Sequence, residues 1–220
     1  MTVLDFIARS FQMATTCCFF VPQPDIMKTT MNHGDHKNIP SAVTEIEVKV
    51  LEINRADIEA RLGTLGAKRV FDGTIHALYY DLPDRHLKRS GLMLRIRTEG
   101  RKAVLTLKAD VPNAAAKERE ELQTEVGDVT VMRQILETMG FSSWLVMKKH
   151  RTSYELPDAH VEIDRYEDDF GYIPEFLEIE GRDTHAVYRV AEALGFETHD
   201  CKPWDAVELA AYYRDRSSIP

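Results

Sequence analysis

Thr44-Glu45-Ile46-Glu47-Val48-Lys49-Val50 alternates charged and aliphatic residues without a break. A period of two is the mark of a β-strand with one face against a core. The unusual part is the other face, where Glu45, Glu47 and Lys49 mix both signs of charge. The same alternation recurs downstream. Arg95 and Arg97 flank Ile96, Lys108 is in phase with Thr106, and Arg119, Glu121 and Gln123 line up. Lys149 pairs with Arg151, Glu162 with Asp164, and Glu178 with Glu180 around Ile179. The tally is seven carboxylates and seven cations over seven strands.

Around these strands the elements read clearly. Asn54 is a good N-cap for a helix over Arg55 to Leu65, with Ile58, Leu62 and Leu65 as its apolar stripe and Gly66 as its stop. Strands are expected over Ile75–Asp81, Leu92–Thr98, Ala103–Ala109, Glu118–Val126, Leu145–Leu156, His160–Tyr166 and Phe176–Glu180. A second helix spans Val129 to Met139, with Val131, Met132, Ile135, Leu136 and Met139 on one face. A third, capped by Asp183 or Thr184, runs through Ala193. A last amphipathic helix covers Trp204 to Tyr213. About eight strands with short polar turns and few helices predict a closed antiparallel barrel or a sandwich.

The two arrangements treat the charges differently. In a sandwich the ionic faces are solvated outside, where each pair contributes about 0–1 kcal/mol. In a barrel whose apolar outer face is covered by helices, the ionic faces converge inside. Such an interior cannot be dry, because an unpaired buried ion costs several kcal/mol. A polyanion with a divalent cation would satisfy both signs, phosphate oxygens taking Lys and Arg and the metal taking carboxylates.

Composition narrows the function. The 220 residues carry 28 basic and 36 acidic side chains, a formal charge of −8, which argues against a broad nucleic-acid surface. No stretch approaches the roughly 20 apolar residues of a membrane span. Three cysteines, Cys17, Cys18 and Cys201, form neither a disulfide framework nor a zinc pattern, and predict a reducing, cytoplasmic setting. Residues 1–40 have no sustained period and read as a poorly structured extension, without the layout of a secretory signal. His33, Asp35 and His36 within it are a weak metal motif. Trp144 and Trp204 read as packing residues, one of Tyr79 and Tyr80 should face the core and the other a mouth, and His76, His150 and His160 are given no catalytic role.

Taken in order, the charged residues resemble a known family. Glu45-Ile-Glu47-Val-Lys49 is similar to the ExExK signature of the CYTH superfamily, the triphosphate tunnel metalloenzymes. Tyr79-Tyr80-Asp81-Leu82-Pro83-Asp84, Leu87, Gly91 and Leu94-Arg95-Ile96-Arg97 follow at that family's spacing. So do Leu105-Thr106-Leu107-Lys108, Arg119 with Glu121, Lys149 with Arg151, Glu162 with Asp164, Phe176-Leu177-Glu178-Ile179-Glu180-Gly181, and Lys202 ahead of Trp204 and Glu208-Leu209. The likeness covers about Thr44 to Ala211. Leu78 stands where the family often has a polar residue, and Gly171-Tyr172-Ile173-Pro174 lengthens a turn. Both leave substrate preference open.

The resemblance implies an α+β fold: an eight-stranded closed antiparallel β-barrel, or tunnel, with helices packed outside, over residues 41–220. It implies Mg2+ or Mn2+ on Glu45, Glu47, Glu178 and Glu180. Lys49, Arg95, Arg97, Lys108, Arg119, Lys149 and Arg151 would bind a small-molecule triphosphate, with Lys202 at one mouth. Lys49, Glu121 and Asp164 would serve catalysis, the last two by orienting arginines or holding a second metal. The expected activity is hydrolysis of tripolyphosphate, thiamine triphosphate or a nucleoside triphosphate. The alternatives are a class IV adenylyl cyclase making cyclic AMP and pyrophosphate, or a polyphosphate-binding module without turnover. Neither nucleic acid nor membrane is expected as a partner, and a monomer or homodimer is.

Overall fold

The computed structural model describes residues 43–111 and 116–217. The expected N-terminal extension, with His33, Asp35, His36, Cys17 and Cys18, lies outside the described residues. Nine strands form one sheet: β1 (Val43–Val50), β2 (Lys68–Asp81), β3 (Leu92–Glu99), β4 (Lys102–Val111), β5 (Lys117–Glu125), β6 (Ser142–Leu156), β7 (Ala159–Tyr166), β8 (Phe176–Gly181) and the two-residue β9 (Cys201–Lys202). Their spatial order is β5-β4-β3-β2-β6-β7-β8-β1, and β1 pairs back onto β5, closing an eight-stranded antiparallel barrel. β9 lies beside the end of β1, with Lys202 opposite Lys49.

The alternation of β1 sets the two faces. Ile46, Val48 and Val50 point out, and Glu45, Glu47 and Lys49 point in. Helices α1 (Arg55–Thr64) and α4 (Thr184–Ala193) cover the outer face of β1, β7 and β8. Ile58 and Leu62 of α1, Val187 and Ala191 of α4, and Leu194 at the C-cap of α4 pack there on Val161, Ile163, Leu177 and Ile179. Burying such side chains stabilises by roughly 1.5–3 kcal/mol each. Asn54 caps α1 as expected, its Oδ1 accepting from the Ala56 and Asp57 amides at 3.0 and 3.3 Å. Asp183 caps α4 through the Ala186 amide at 2.7 Å. Gly181 ends β8 where α4 comes closest: a Cβ there would sit 2.9 Å from Val187 Cγ2.

Helix α3 (Val129–Thr138) crosses the outer face of β2, β3 and β4. The short α2 (His86–Arg89) is not evident in the sequence, and is held by Asp81, whose carboxylate accepts from the Leu82, Leu87 and Lys88 amides. Helix α5 (Ala206–Ser217) lies across one end of the barrel. Its Leu209, Ala210 and Tyr213 pack on Ala77, Tyr79, Met147, Tyr166 and Phe176, all inward-facing, so this mouth is plugged.

Two expected stripes need correction. Leu65 is not part of the α1 core face but 40% exposed. On α3 the buried edge is Leu136, with Val129 and Met132 partly buried, while Val131, Ile135 and Met139 are 46–64% exposed. The helix is rotated by about one residue from its most apolar face, because positions 129, 132 and 136 are the ones that meet Leu78, Leu94 and Leu105. The tyrosine pair divides as the alternation requires, Tyr80 in the core beneath α3 and Tyr79 toward the plugged mouth. Trp144 packs on Tyr79 and Trp204 on Tyr212.

These packing assignments separate two truncations. Leu62→Ala should lower unfolding free energy by about 2–5 kcal/mol. Met139→Ala should stay within about 0.5 kcal/mol of the parent. Urea denaturation followed by circular dichroism reads both, and a costly Met139→Ala would mean that the stripe on α3 is covered.

Candidate active site

The barrel encloses a cavity of about 460 Å³. Its wall holds Glu45, Glu47, Lys49, Arg95, Arg97, Lys108, Arg119, Glu121, Lys149, Arg151, Glu178 and Glu180, together with Glu162 and Gln123. Strand β2 contributes only Ile75, Ala77 and Tyr79, so one wall is uncharged. The sequence periods thus converge on one space, because every charged face belongs to the inward set of its strand.

Most of the cations are tied to carboxylates. Lys49 Nζ lies 3.1 Å from Glu47 and 3.0 Å from Glu178. Lys108 bridges Glu45 and Glu121. Arg151 grips Asp164 through Nε and Nη2 at 2.7 and 2.6 Å, and also reaches Glu162 and, at 3.4 Å, Glu178. Lys149 donates to Asp164 at 2.5 Å. Asp164 therefore works behind the wall, fully buried, and fixes a Lys–Arg pair in place. Arg119 is held by Asp110 and Asp205, each at 3.1 Å. Lys202 stands apart: its ammonium donates to the His199 carbonyl at 2.7 Å, and it is absent from the cavity wall.

The electrostatics show where the pairing fails. Burial, with repulsion from Glu45, Glu162, Glu178 and Glu47, pushes Glu180 up to about 8. Burial also raises Glu162, to about 7, despite the neighbouring Arg151. Burial likewise raises Glu47, against the pull of Lys49. Glu178 is the opposite case: burial works against its charge, but Lys49, Arg151 and Lys149 hold it well below the usual carboxylate range. Burial opposes the charge on Glu121 too, yet hydrogen bonds with Glu45, Lys108 and Gln123 hold it down at about 2. Among the cations, burial and the adjacent Arg95 and Arg151 pull Arg97 below an ordinary arginine. The Nε of Arg95 is buried with no hydrogen-bond partner. Thus Glu180 is crowded by like charge, and so is Arg97, whose acidic contact is Glu99 at 3.6 Å.

Oxygen-only ligands in excess negative charge are the donor set that a hard divalent ion takes. Glu45, Glu47, Glu178 and Glu180 place such oxygens on the cavity wall, the first three of them already paired with Lys108 or Lys49. Among the described residues, the group of three carboxylates whose oxygens all come within 4.8 Å of one another is Glu162, Asp164 and Glu178, around the Arg151 guanidinium. The sequence shows Glu162 as the partner of Asp164 but gives it no role. Asp110, Asp205 and Tyr166 also escape the sequence reading. Asp205 has a usable signal, a capping box with Glu208 ahead of an apolar run.

A closed barrel of this topology places acidic and basic groups together on the wall of one cavity. The CYTH domain model matches residues 44–200, and the chain belongs to that family. Its members are adenylyl cyclases or triphosphatases. The chain is 29% identical over 123 residues to a Methanocaldococcus jannaschii protein named "Putative adenylate cyclase MJ0240", covering 56% of this chain and 70% of that one. The PH1012 protein of Pyrococcus horikoshii OT3 has a similar structure, with a TM-score of 0.64, 29% identity, and coverage of 75% of this chain and 98% of that one. HpAC1 from Hippeastrum, described as a "putative adenylyl cyclase" with a dominant triphosphatase activity, shares the fold at TM-score 0.55 and 18% identity, over 80% of this chain and 97% of that one. Among the described residues no helix is long and apolar enough to cross a membrane.

The raised Glu180 value gives a signed prediction. A carboxyl with a folded value of about 8 stabilises fully below its usual 4.5, and that contribution is lost as pH rises to about 8. A divalent cation binds the deprotonated form, so the rise in melting temperature on adding Mg2+ or Mn2+ should be larger near pH 8.5 than near pH 6. Thermal melts with and without metal at the two pH values check this, and an equal shift at both would remove Glu180 from the metal site. Separately, Asp164→Asn should cost about 3–5 kcal/mol, because Arg151 is left buried without its main counter-ion.

Proposed function

We propose that this chain is a metal-dependent triphosphatase acting on tripolyphosphate, thiamine triphosphate or a nucleoside triphosphate. The observation that carries this reading is the presence in one cavity of Glu180, a carboxyl crowded by other carboxylates, and of Arg97, a guanidinium crowded by Arg95 and Arg151. A triphosphate complexed with a divalent cation neutralises both.

Phosphoryl transfer needs positioning and charge stabilisation more than a covalent nucleophile. In this proposal Arg95, Arg97, Lys108, Lys149, Arg151 and Arg119 bind the phosphate oxygens, the arginines gripping two at a time. Lys49, pinned between Glu47 and Glu178, keeps the basic and acidic groups in register. Asp164 orients Lys149 and Arg151, and Glu121 orients Lys108. Glu45, Glu47, Glu178 and Glu180 would hold Mg2+ or Mn2+, which supplies charge neutralisation at the phosphates and an activated water. Lys202 would have to leave the His199 carbonyl to reach a ligand.

A second reading is a class IV adenylyl cyclase, favoured by the name of the archaeal relative. There the ribose 3′-hydroxyl of ATP attacks the α-phosphorus and pyrophosphate leaves. The same clamp serves both reactions, so products decide between them.

The test is a product assay with Mg2+ or Mn2+ on ATP, tripolyphosphate and thiamine triphosphate separately. Orthophosphate from tripolyphosphate without cyclic AMP from ATP supports the triphosphatase, and cyclic AMP with equal pyrophosphate supports the cyclase. No product in any tube, with binding retained, supports a polyphosphate-binding module. Glu47→Gln should abolish turnover and leave the circular dichroism spectrum unchanged. Arg97→Ala should weaken triphosphate binding by about 1.5–3 kcal/mol, since it removes hydrogen bonds that a charged donor makes to phosphate. Calorimetric titration measures the change, and unaltered affinity would take Arg97 out of the clamp.

A further inference from the structure

Arg119 is the clamp cation tied to a helix outside the barrel wall. Its side chain is 5% exposed, and its Nη2 donates to Asp205 Oδ2 at 3.1 Å. Asp205 is the N-cap of α5, and its other oxygen, Oδ1, accepts from the Val207 and Glu208 amides, both at 2.8 Å. The Asp205 amide donates to Glu208 Oε2 at 2.8 Å, completing a capping box. The two oxygens of one carboxylate are thus divided between a helix terminus and a cation inside the cavity. Lys117 lies farther off, 3.8 Å from Asp205 and 3.5 Å from Glu208.

This helix is the plug. Ala206, one residue after the cap, lines the cavity, and Leu209, Ala210 and Tyr213 fill the mouth. Farther along α5 the hydrogen bonds go to loops: Tyr213 donates to Glu52, just after β1, at 3.1 Å, and Tyr172, between β7 and β8, donates to the Ala210 carbonyl at 3.1 Å. Asp205 is therefore the point at which α5 engages the ligand-binding groups. Its carboxylate presents to Arg119 the same anionic oxygen that a phosphate would present.

We propose that Asp205 is an internal competitor for the phosphate clamp: its carboxylate latches Arg119 and the α5 plug together, and a triphosphate that takes Arg119 releases the helix and loosens that mouth. This rests on the triphosphate-binding reading of the cavity. The linkage is reciprocal, so whatever weakens the latch strengthens ligand binding.

Asp205→Asn tests it cleanly, because asparagine caps helices as well as aspartate does while removing the charge that holds Arg119. Hydrogen exchange of the α5 amides in the full chain, read by mass spectrometry, should be faster in Asp205→Asn than in the parent with no ligand present. Asp110→Asn, which removes the other carboxylate hydrogen-bonded to Arg119, should leave α5 exchange unchanged. Tripolyphosphate with Mg2+ should speed α5 exchange in the parent, and should bind Asp205→Asn at least about fivefold more tightly. Unchanged α5 exchange in the ligand-free variant overturns the latch, whatever the protein binds. Weaker binding by the variant, with α5 protected by ligand, also overturns it and makes Asp205 a residue that positions Arg119 for phosphate. If tripolyphosphate fails to bind the parent, the triphosphate reading fails, and the ligand-free comparison still decides whether Asp205 latches α5.

Discussion

Closing a sheet around ionised side chains is the constraint on which everything else depends. The inward faces of seven strands carry charge of both signs, and a closed barrel offers them little bulk water. Each group must find a partner or shift its protonation. The structure does both. Asp164, Lys149 and Arg151 form a compact ionic knot, as do Lys49, Glu47 and Glu178. Where no cation is near enough, as at Glu180, the carboxyl is pushed toward its neutral form. The fold tolerates this because its stability comes from elsewhere, from the apolar outer face buried under α1, α3 and α4. A barrel normally hides its apolar side chains inside; here the roles of the two faces are exchanged.

That exchange is legible in the sequence only in part. The period of two in β1 places Glu45, Glu47 and Lys49 on a common face whatever the fold, and Asn54 marks the start of α1. Alternation alone does not say whether that face is inner or outer, since a sandwich and a barrel share the pattern. The ordered likeness to the CYTH family removes that ambiguity. Helix orientation is less legible. On α3 the most apolar face is not the buried one, because the shape of the β2–β4 surface, made by Leu78, Leu94 and Leu105, selects Val129, Met132 and Leu136. Such a choice depends on tertiary packing and leaves no trace in periodicity.

The site is legible residue by residue but not pair by pair. A period of two assigns side chains to a face, yet partners depend on register between distant strands. Arg151 and Asp164 are directly opposed across β6 and β7, and Lys49 and Glu178 across β1 and β8. Asp205 is harder still, since it belongs to no strand and reaches Arg119 only because α5 turns across the mouth. Lys202 falls the other way: it lies opposite Lys49 in register, but its ammonium is engaged by the His199 carbonyl.

The net charge of −8 sharpens the functional argument. At long range such a chain repels polyanions, and screening confines attraction to within about 8–10 Å at moderate ionic strength. Recognition of a triphosphate, as proposed, would then arise inside the barrel, from local fields. The uncharged wall of Ile75, Ala77 and Tyr79 aids this, because a low-dielectric surface strengthens the fields of the groups opposite it. On the proposed reading a bare polyanion would meet Glu180 and its neighbouring carboxylates, whereas one already complexed by a divalent cation carries less charge and brings a partner for Glu180. On that reading the same groups that would repel the free anion would select its metal complex.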